Sequence, residues 1–120
     1  MAAERSYQRQ DVLAGLEALA AEPQVDETGR DPRWPDLTNA VHWVVDDTWW
    51  DHSDPRESIG TVLVSEEEAE AVHRVVALIA EVSDRQGPQA PDAAWYLDPA
   101  WSQVRAATHR AVALFRSNEG

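Results

Sequence analysis

The chain has 120 residues and no cysteine. That excludes disulfides, thiolate metal sites and thiol nucleophiles together. It also lacks lysine: all ten bases are arginine, set against 22 acids, for a net charge of −12. So acidic a balance leaves no basic face for nucleic acid or an anionic membrane. No run of eighteen apolar residues occurs, so no membrane span is expected. The opening MAAERSY carries two charges and no apolar core. It does not read as a secretory signal, and a cytoplasmic protein is the expectation. Glycine-rich phosphate loops, a G-x-S-x-G nucleophile elbow and an H-E-x-x-H zinc pair are missing as well.

Apolar residues make up 43% of the chain, enough for a real core and against wholesale disorder. Their spacing predicts four amphipathic helices at about 5–22, 35–50, 65–86 and 98–116, hence an all-α single domain spanning 1–120. In the first helix Ser6 is the expected cap, and Val12, Leu13, Leu16, Leu19 and Ala20 form the buried stripe. Residues 23–35, rich in proline and acid, read as a long loop, with Pro35 suited to the first turn of helix two. Ser65 with Glu68 is a capping box, and Val72, Val75, Val76, Ile79 and Val82 mark the inner face that follows. Glu70 and Arg74 form an i,i+4 pair on that helix. Gly87-Pro88 stops it. Asp98-Pro99 opens the last helix, whose inner face carries Trp101, Val104, Thr108, Ala111, Val112 and Phe115. The tail from Ser117 should fray. Ile59–Val64 is rich in β-branched residues but has no convincing partner strand. It is expected to be an extended connector between helices two and three, pairing briefly at most with residues 94–97.

The stretch LTNAVHWVVDDTWWDH, residues 37–52, holds three of the six tryptophans, two of the four histidines and three aspartates. On a regular helix Leu37, Ala40, Val41, Val44, Val45 and Thr48 face the core. His42, Asp46 and Trp49 lie on one flank, and Trp43, Asp47, Trp50 and Asp51 on the far side. Two indoles then point away from the apolar stripe, needing cover from Trp34 or from Trp95 and Tyr96. The acids sit at the negative end of the helix dipole, where each costs roughly 0.3–1 kcal/mol.

Trp43, Asp46, Asp47, Trp50, Asp51 and Asp54 therefore form the candidate binding patch. The leading expectation is a non-enzymatic interaction domain that presents this acidic-aromatic surface to a basic protein partner. Packing of the indoles and pairing of the acids with Arg30, Arg33 or Arg56 is the bland competing account. A divalent-metal phosphohydrolase is the alternative, with His42 and Asp46 as first ligands. The pairs Glu67/Glu70 and Glu81/Asp84 echo all-α nucleotide pyrophosphohydrolases, but both lie on one helix, opposite its apolar face. A homo-oligomer burying the tryptophan patch against itself is the third reading. No cofactor and no catalytic residue is indicated. His73 lies off the buried arc of its helix, and His109 beside the Trp101 face.

The succession AVHWVVDDTWWD, IGTVLV, an acid-rich helix start and DPAWSQV resembles small acidic helical proteins of actinobacteria. More loosely, it resembles the helical immunity proteins of polymorphic toxin systems. The resemblance covers residues 11–115 and implies binding rather than catalysis.

Overall fold

The computed structural model describes residues 4–119. Its longest helix is α3 (Glu66–Gln86). The Ser65 hydroxyl accepts the Glu68 N–H at 3.2 Å, three glutamates face the positive end of the dipole, and Gly87, at φ 86°, ends it. Helix α5 (Trp101–Glu119) packs along α3, and α1 (Ser6–Ala20) packs along α5. The short helices α2 (Leu37–Val41) and α4 (Asp92–Tyr96) lean on α1 and α3 respectively. The fold is all-α, and no strand occurs among the described residues. The predicted stripes of α1, α3 and α5 all contribute to one continuous core. Among the described residues no helix is long and apolar enough to cross a membrane.

A buried ion pair ties the three long helices together. Arg9 donates to both carboxylate oxygens of Glu68 at 2.7 Å, and also to the carbonyls of Val62 at 3.0 Å and Phe115 at 3.4 Å. Glu68 accepts further bonds from the Val64 N–H and from Asn118. The Arg9 guanidinium also stacks 4.3 Å from the centroid of the Phe115 ring. In a regular capping box the glutamate turns back to the cap residue. Here it turns inward to Arg9, the residue standing where an acid would have completed a box for α1.

Several local expectations give way. The N-cap of α1 is Arg5, with no side-chain bond, and Ser6 is the first helical residue. Asp36, not Pro35, starts α2: its carboxylate accepts the Asn39 N–H at 2.9 Å. Glu70 lies 3.8 Å from Arg56 rather than pairing with Arg74. The tail does not fray at Ser117, because Asn118 and Glu119 are held by Glu68 and Arg9. Residues 59–64 are not an extended connector. They fold back on themselves, with Leu63 N–H bonded to the Ser58 carbonyl and Gly60 N–H to that of Leu63. The turn buries Val62 and Leu63, its remaining backbone groups are met by Glu4, Arg5, Arg9 and Glu68, and residues 94–97 belong to α4 and its cap instead of pairing with it.

Candidate functional site

Helix two does not run regularly to Trp50. After Val41 the backbone widens into a π-turn, His42–Asp46, in which Asp47 N–H reaches the His42 carbonyl five residues back. Thr48 then donates its hydroxyl to the carbonyls of Val44 and Val45 at 2.7 and 3.1 Å. Trp49 takes a left-handed conformation, φ 62°, and the chain reverses. Asp54 caps the 3-10 turn that follows, Pro55–Ser58, by accepting the Arg56 N–H.

Trp50, which follows both this π-turn and the left-handed Trp49, lies on the side of Val45 and not on the far side that a regular helix would give it. It is 3% exposed, and its indole N–H donates to Ser58. Trp49, expected on the flank, is 66% exposed instead. Trp43 is half-buried, covered edge-on by Trp34 at 6.0 Å as the sequence suggested, and Trp34 itself is 75% exposed.

The candidate patch therefore splits. Asp46, Trp50 and Asp51 line a cleft of about 550 Å³ between the π-turn and α3. Trp43 and Asp47 fall on the α1 side: the Asp47 carbonyl accepts from Gln8, and Trp43 packs beside Gly15. Asp54 is occupied as a cap. The cleft floor is apolar, made by Leu37, Val45 and Trp50 from one wall and Val76, Ile79 and Trp95 from the other. The rim carries His42, Asp46, Asp51, His73, Asp84 and Asp92.

The arginines decide the character of this rim. Five of the ten bridge acids, Glu68 and Glu119 (Arg9), Asp31 (Arg33), Glu70 (Arg56), Asp98 (Arg85) and Glu17 (Arg116). Among the described residues none bridges Asp46, Asp51, Asp84 or Asp92, and no arginine lines the cleft. The acids of this cleft have weaker company. Asp46 holds Nδ1 of His42, Asp51 lies 3.3 Å from His52, and Asp92 accepts the Asp31 N–H at 2.7 Å. Four carboxylates around an apolar trough concentrate negative potential there.

A family model matches residues 6–120. The chain belongs to the family described as Domain of unknown function (DUF7945). Comparison with curated proteins and with solved structures finds no match. For this DUF7945 domain the chemistry of the cleft must be read from its own side chains.

Thr38 and Ser83 line the cleft, and among the described residues neither hydroxyl is hydrogen-bonded to a histidine or a carboxylate. Nor do three His, Asp or Glu side chains converge anywhere among the described residues as a metal cage would require. His42 and Asp46 offer two donors, and Glu67, Glu70 and Glu81 stand exposed on α3 away from the trough. What the arrangement can do is hold a body that is apolar beneath and cationic at its edges. The sequence set Asp84 opposite the apolar face of its helix, but it lines the cleft with His73, where apolar residues on α3 extend past the core stripe through Ala77 and Ala80. Trp95, one expected source of cover for the indoles, lines the cleft with Trp50, and Asp92 carried no signal of its place there.

Behind the cleft a polar cluster fixes its far wall. Arg33 clamps the Asp31 carboxylate at 2.9 and 2.6 Å, and the Tyr96 hydroxyl donates to it. Burial alone would raise the pKa of Asp31, but these bonds prevail and hold it at about 2. Burial, then the adjacent Asp31, push the Tyr96 phenol up. Gly29 carbonyl accepts Ala93 N–H, so the loop of residues 23–35 is anchored to α4.

Proposed function

We propose that this domain is a non-enzymatic protein-interaction module whose cleft receives a basic segment of a partner. The observation that carries this reading is a cleft lined by four aspartates and no arginine: among the described residues no arginine bridges any of the four, while five of the chain's ten arginines bridge acids elsewhere. The apolar floor supplies the area a bound group would bury, and the aspartates supply the selection for positive charge. An immunity-like role, with the acidic domain masking a basic surface of a partner, is one use of such a site. The metal-enzyme alternative has only two converging donors in its favour. The homo-oligomer alternative has lost the far-side Trp50 that motivated it.

The test is affinity capture from the cells of origin with wild-type protein and with the variant Asp46→Asn/Asp51→Asn/Asp84→Asn. Mass spectrometry then identifies what is retained. The expected outcome is a protein with a Lys- and Arg-rich segment, captured in a salt-sensitive way by wild type and lost by a variant that melts normally. Equal capture by the two proteins, or a captured partner with no basic segment, overturns the proposal.

A further inference from the structure

We infer that the segment received by the cleft is an amphipathic α-helix, its apolar stripe flanked on both sides by Lys or Arg. This rests on the preceding reading of the cleft as the docking place of a basic partner, and it names the form the partner takes there.

The walls supply the first reason. They are α2 with the π-turn, α3, α4 and the turn at residues 88–90; the helical groups are bonded within their helices, Ala90 N–H is bonded to the Gly87 carbonyl and Ala93 N–H to that of Gly29. Among the described residues the isolated bridge between Ile59 and Leu63 lies outside the cleft. No strand edge is therefore offered. An extended segment laid over Trp50 and Trp95 would bury N–H and C=O groups that find no partner. A helix brings its backbone bonds with it and presents only side chains.

The second reason is the placement of charge. Asp46 and Asp51 bound the trough from the π-turn side, Asp84 and Asp92 from the side of α3 and α4. An occupant with cations on one edge alone would leave half of these carboxylates facing apolar surface. Basic residues on both shoulders of one apolar stripe match all four. Ala77 and Ala80, exposed small residues on the α3 wall, leave room for a second helix to approach closely.

Volume sets the length. A helix 10–12 Å across fills roughly 400–600 Å³ per turn. Sunk to half its depth, it occupies a trough of about 550 Å³ in about two turns. The anchors are then three apolar side chains at i, i+3 or i+4, and i+7.

The experiment pans a phage-displayed library of random 16-residue peptides against the immobilised full-length chain. Synthetic peptides of the enriched sequences are then titrated by calorimetry and circular dichroism. Expected are apolar residues at i, i+3 or i+4 and i+7 with Lys or Arg on either side, and helix gained on binding. A central proline in the peptide should weaken binding at least tenfold. So should Ala80→Trp, which fills the trough from an exposed position. Asp46→Asn/Asp84→Asn should weaken it severalfold and reduce its salt dependence, and decides the matter if Ala80→Trp fails to fold. Enriched peptides that are basic but tolerate proline or bind extended overturn the helix and leave the basic-partner reading standing. Peptides without Lys or Arg, no enrichment, or undiminished binding to the folded variants overturn both.

Discussion

The most demanding test of the packing is Glu68→Gln, because it leaves shape nearly intact and removes one charge. Glu68 is 0% exposed and Arg9 5% exposed. The carboxylate accepts four bonds, two from the Arg9 guanidinium and one each from Val64 N–H and Asn118. A glutamine keeps one acceptor oxygen but turns an amide NH2 towards the remaining donors, and the arginine is left with only the partly exposed Glu119, 3.5 Å away, as a counter-charge. Breaking a buried pair from one side costs about 3–5 kcal/mol. The lower end, about 3 kcal/mol, applies because the carbonyls of Val62 and Phe115 still receive Arg9. With about 2.1 cal/mol/K of unfolding entropy per residue, that is a fall in Tm of about 12 °C. Thermal melts and urea titrations read it directly. The double variant Arg9→Met/Glu68→Met should recover most of the loss, since an apolar pair of similar volume carries no desolvation cost. Burial alone would raise the Glu68 pKa, but the bonds from Arg9, Asn118 and Val64 hold it below its ordinary 4.5. The folded pKa lies below the unfolded one, so this stabilisation is complete above about pH 4.5 and is lost as pH falls through the folded value. Glu68→Gln should flatten that part of the acid limb. A loss below about 1 kcal/mol, or an acid limb unchanged by the substitution, would refute the role assigned to the pair.

Gly15→Ala should destabilise by about 1–2 kcal/mol despite a helix-propensity gain of about 1 kcal/mol, because the new methyl would lie 2.9 Å from Val44 and 3.1 Å from the Ala40 carbonyl; an unchanged or higher Tm would mean that α2 yields freely. Asp31→Asn should remove stability that wild type holds above about pH 4 and loses as pH falls towards 2, the sign following from a folded pKa of about 2 against an ordinary 3.8. Parallel melts at pH 7 and pH 2 check it, and an equal deficit at both would contradict the linkage. Trp49→Gly should stabilise by up to about 1 kcal/mol, because a left-handed non-glycine residue is relieved while a side chain two-thirds exposed gives up little packing. A fall in Tm would instead assign a holding role to its contact with His52, whose ring lies 5.9 Å away.

The long helices were legible because each is regular and each apolar stripe faces one neighbour. The Ser65 cap, the Gly87 stop and the inner faces of α3 and α5 follow from side-chain chemistry that acts over four residues or fewer. The buried state of Arg9 was not legible. A lone arginine on α1 has no local partner, and Glu68 lies 59 residues away. Residues 59–64 misled for a related reason. Their β-branched composition favours extension, but a tight turn whose other backbone groups are met by Glu4, Arg5, Arg9 and Glu68 needs no partner strand. Of the residues singled out from the sequence, Asp46, Trp50 and Asp51 of the binding patch and His42 of the metal alternative line the cleft. Trp50 reached it by a route no fixed period of 100° per residue allows, because the π-turn and the left-handed Trp49 both precede it.

The departures from local rule are themselves concentrated. Helix α3 keeps its cap, stripe and dipole complement. Helix α5 keeps its apolar stripe but begins at Trp101 and not at Asp98-Pro99, because the Asp98 carboxylate is held by Arg85 and accepts the Ala100 N–H. Between His42 and Asp51 the chain instead widens a helix, holds a tryptophan left-handed, gathers acids at the unfavourable end of a dipole and leaves them without arginine. Each departure is a local cost, and their concentration is what motivates the docking role proposed for the cleft. All of them act on one feature. The widened turn and the reversal at Trp49 set Trp50 under the cleft and Asp51 on its edge, and the missing guanidinium keeps the rim negative. A segment shaped only for packing would have closed α2 onto α3 and paired its aspartates. This one keeps the two walls apart with an apolar floor between them, which is the strongest reason to look for the group that fills it.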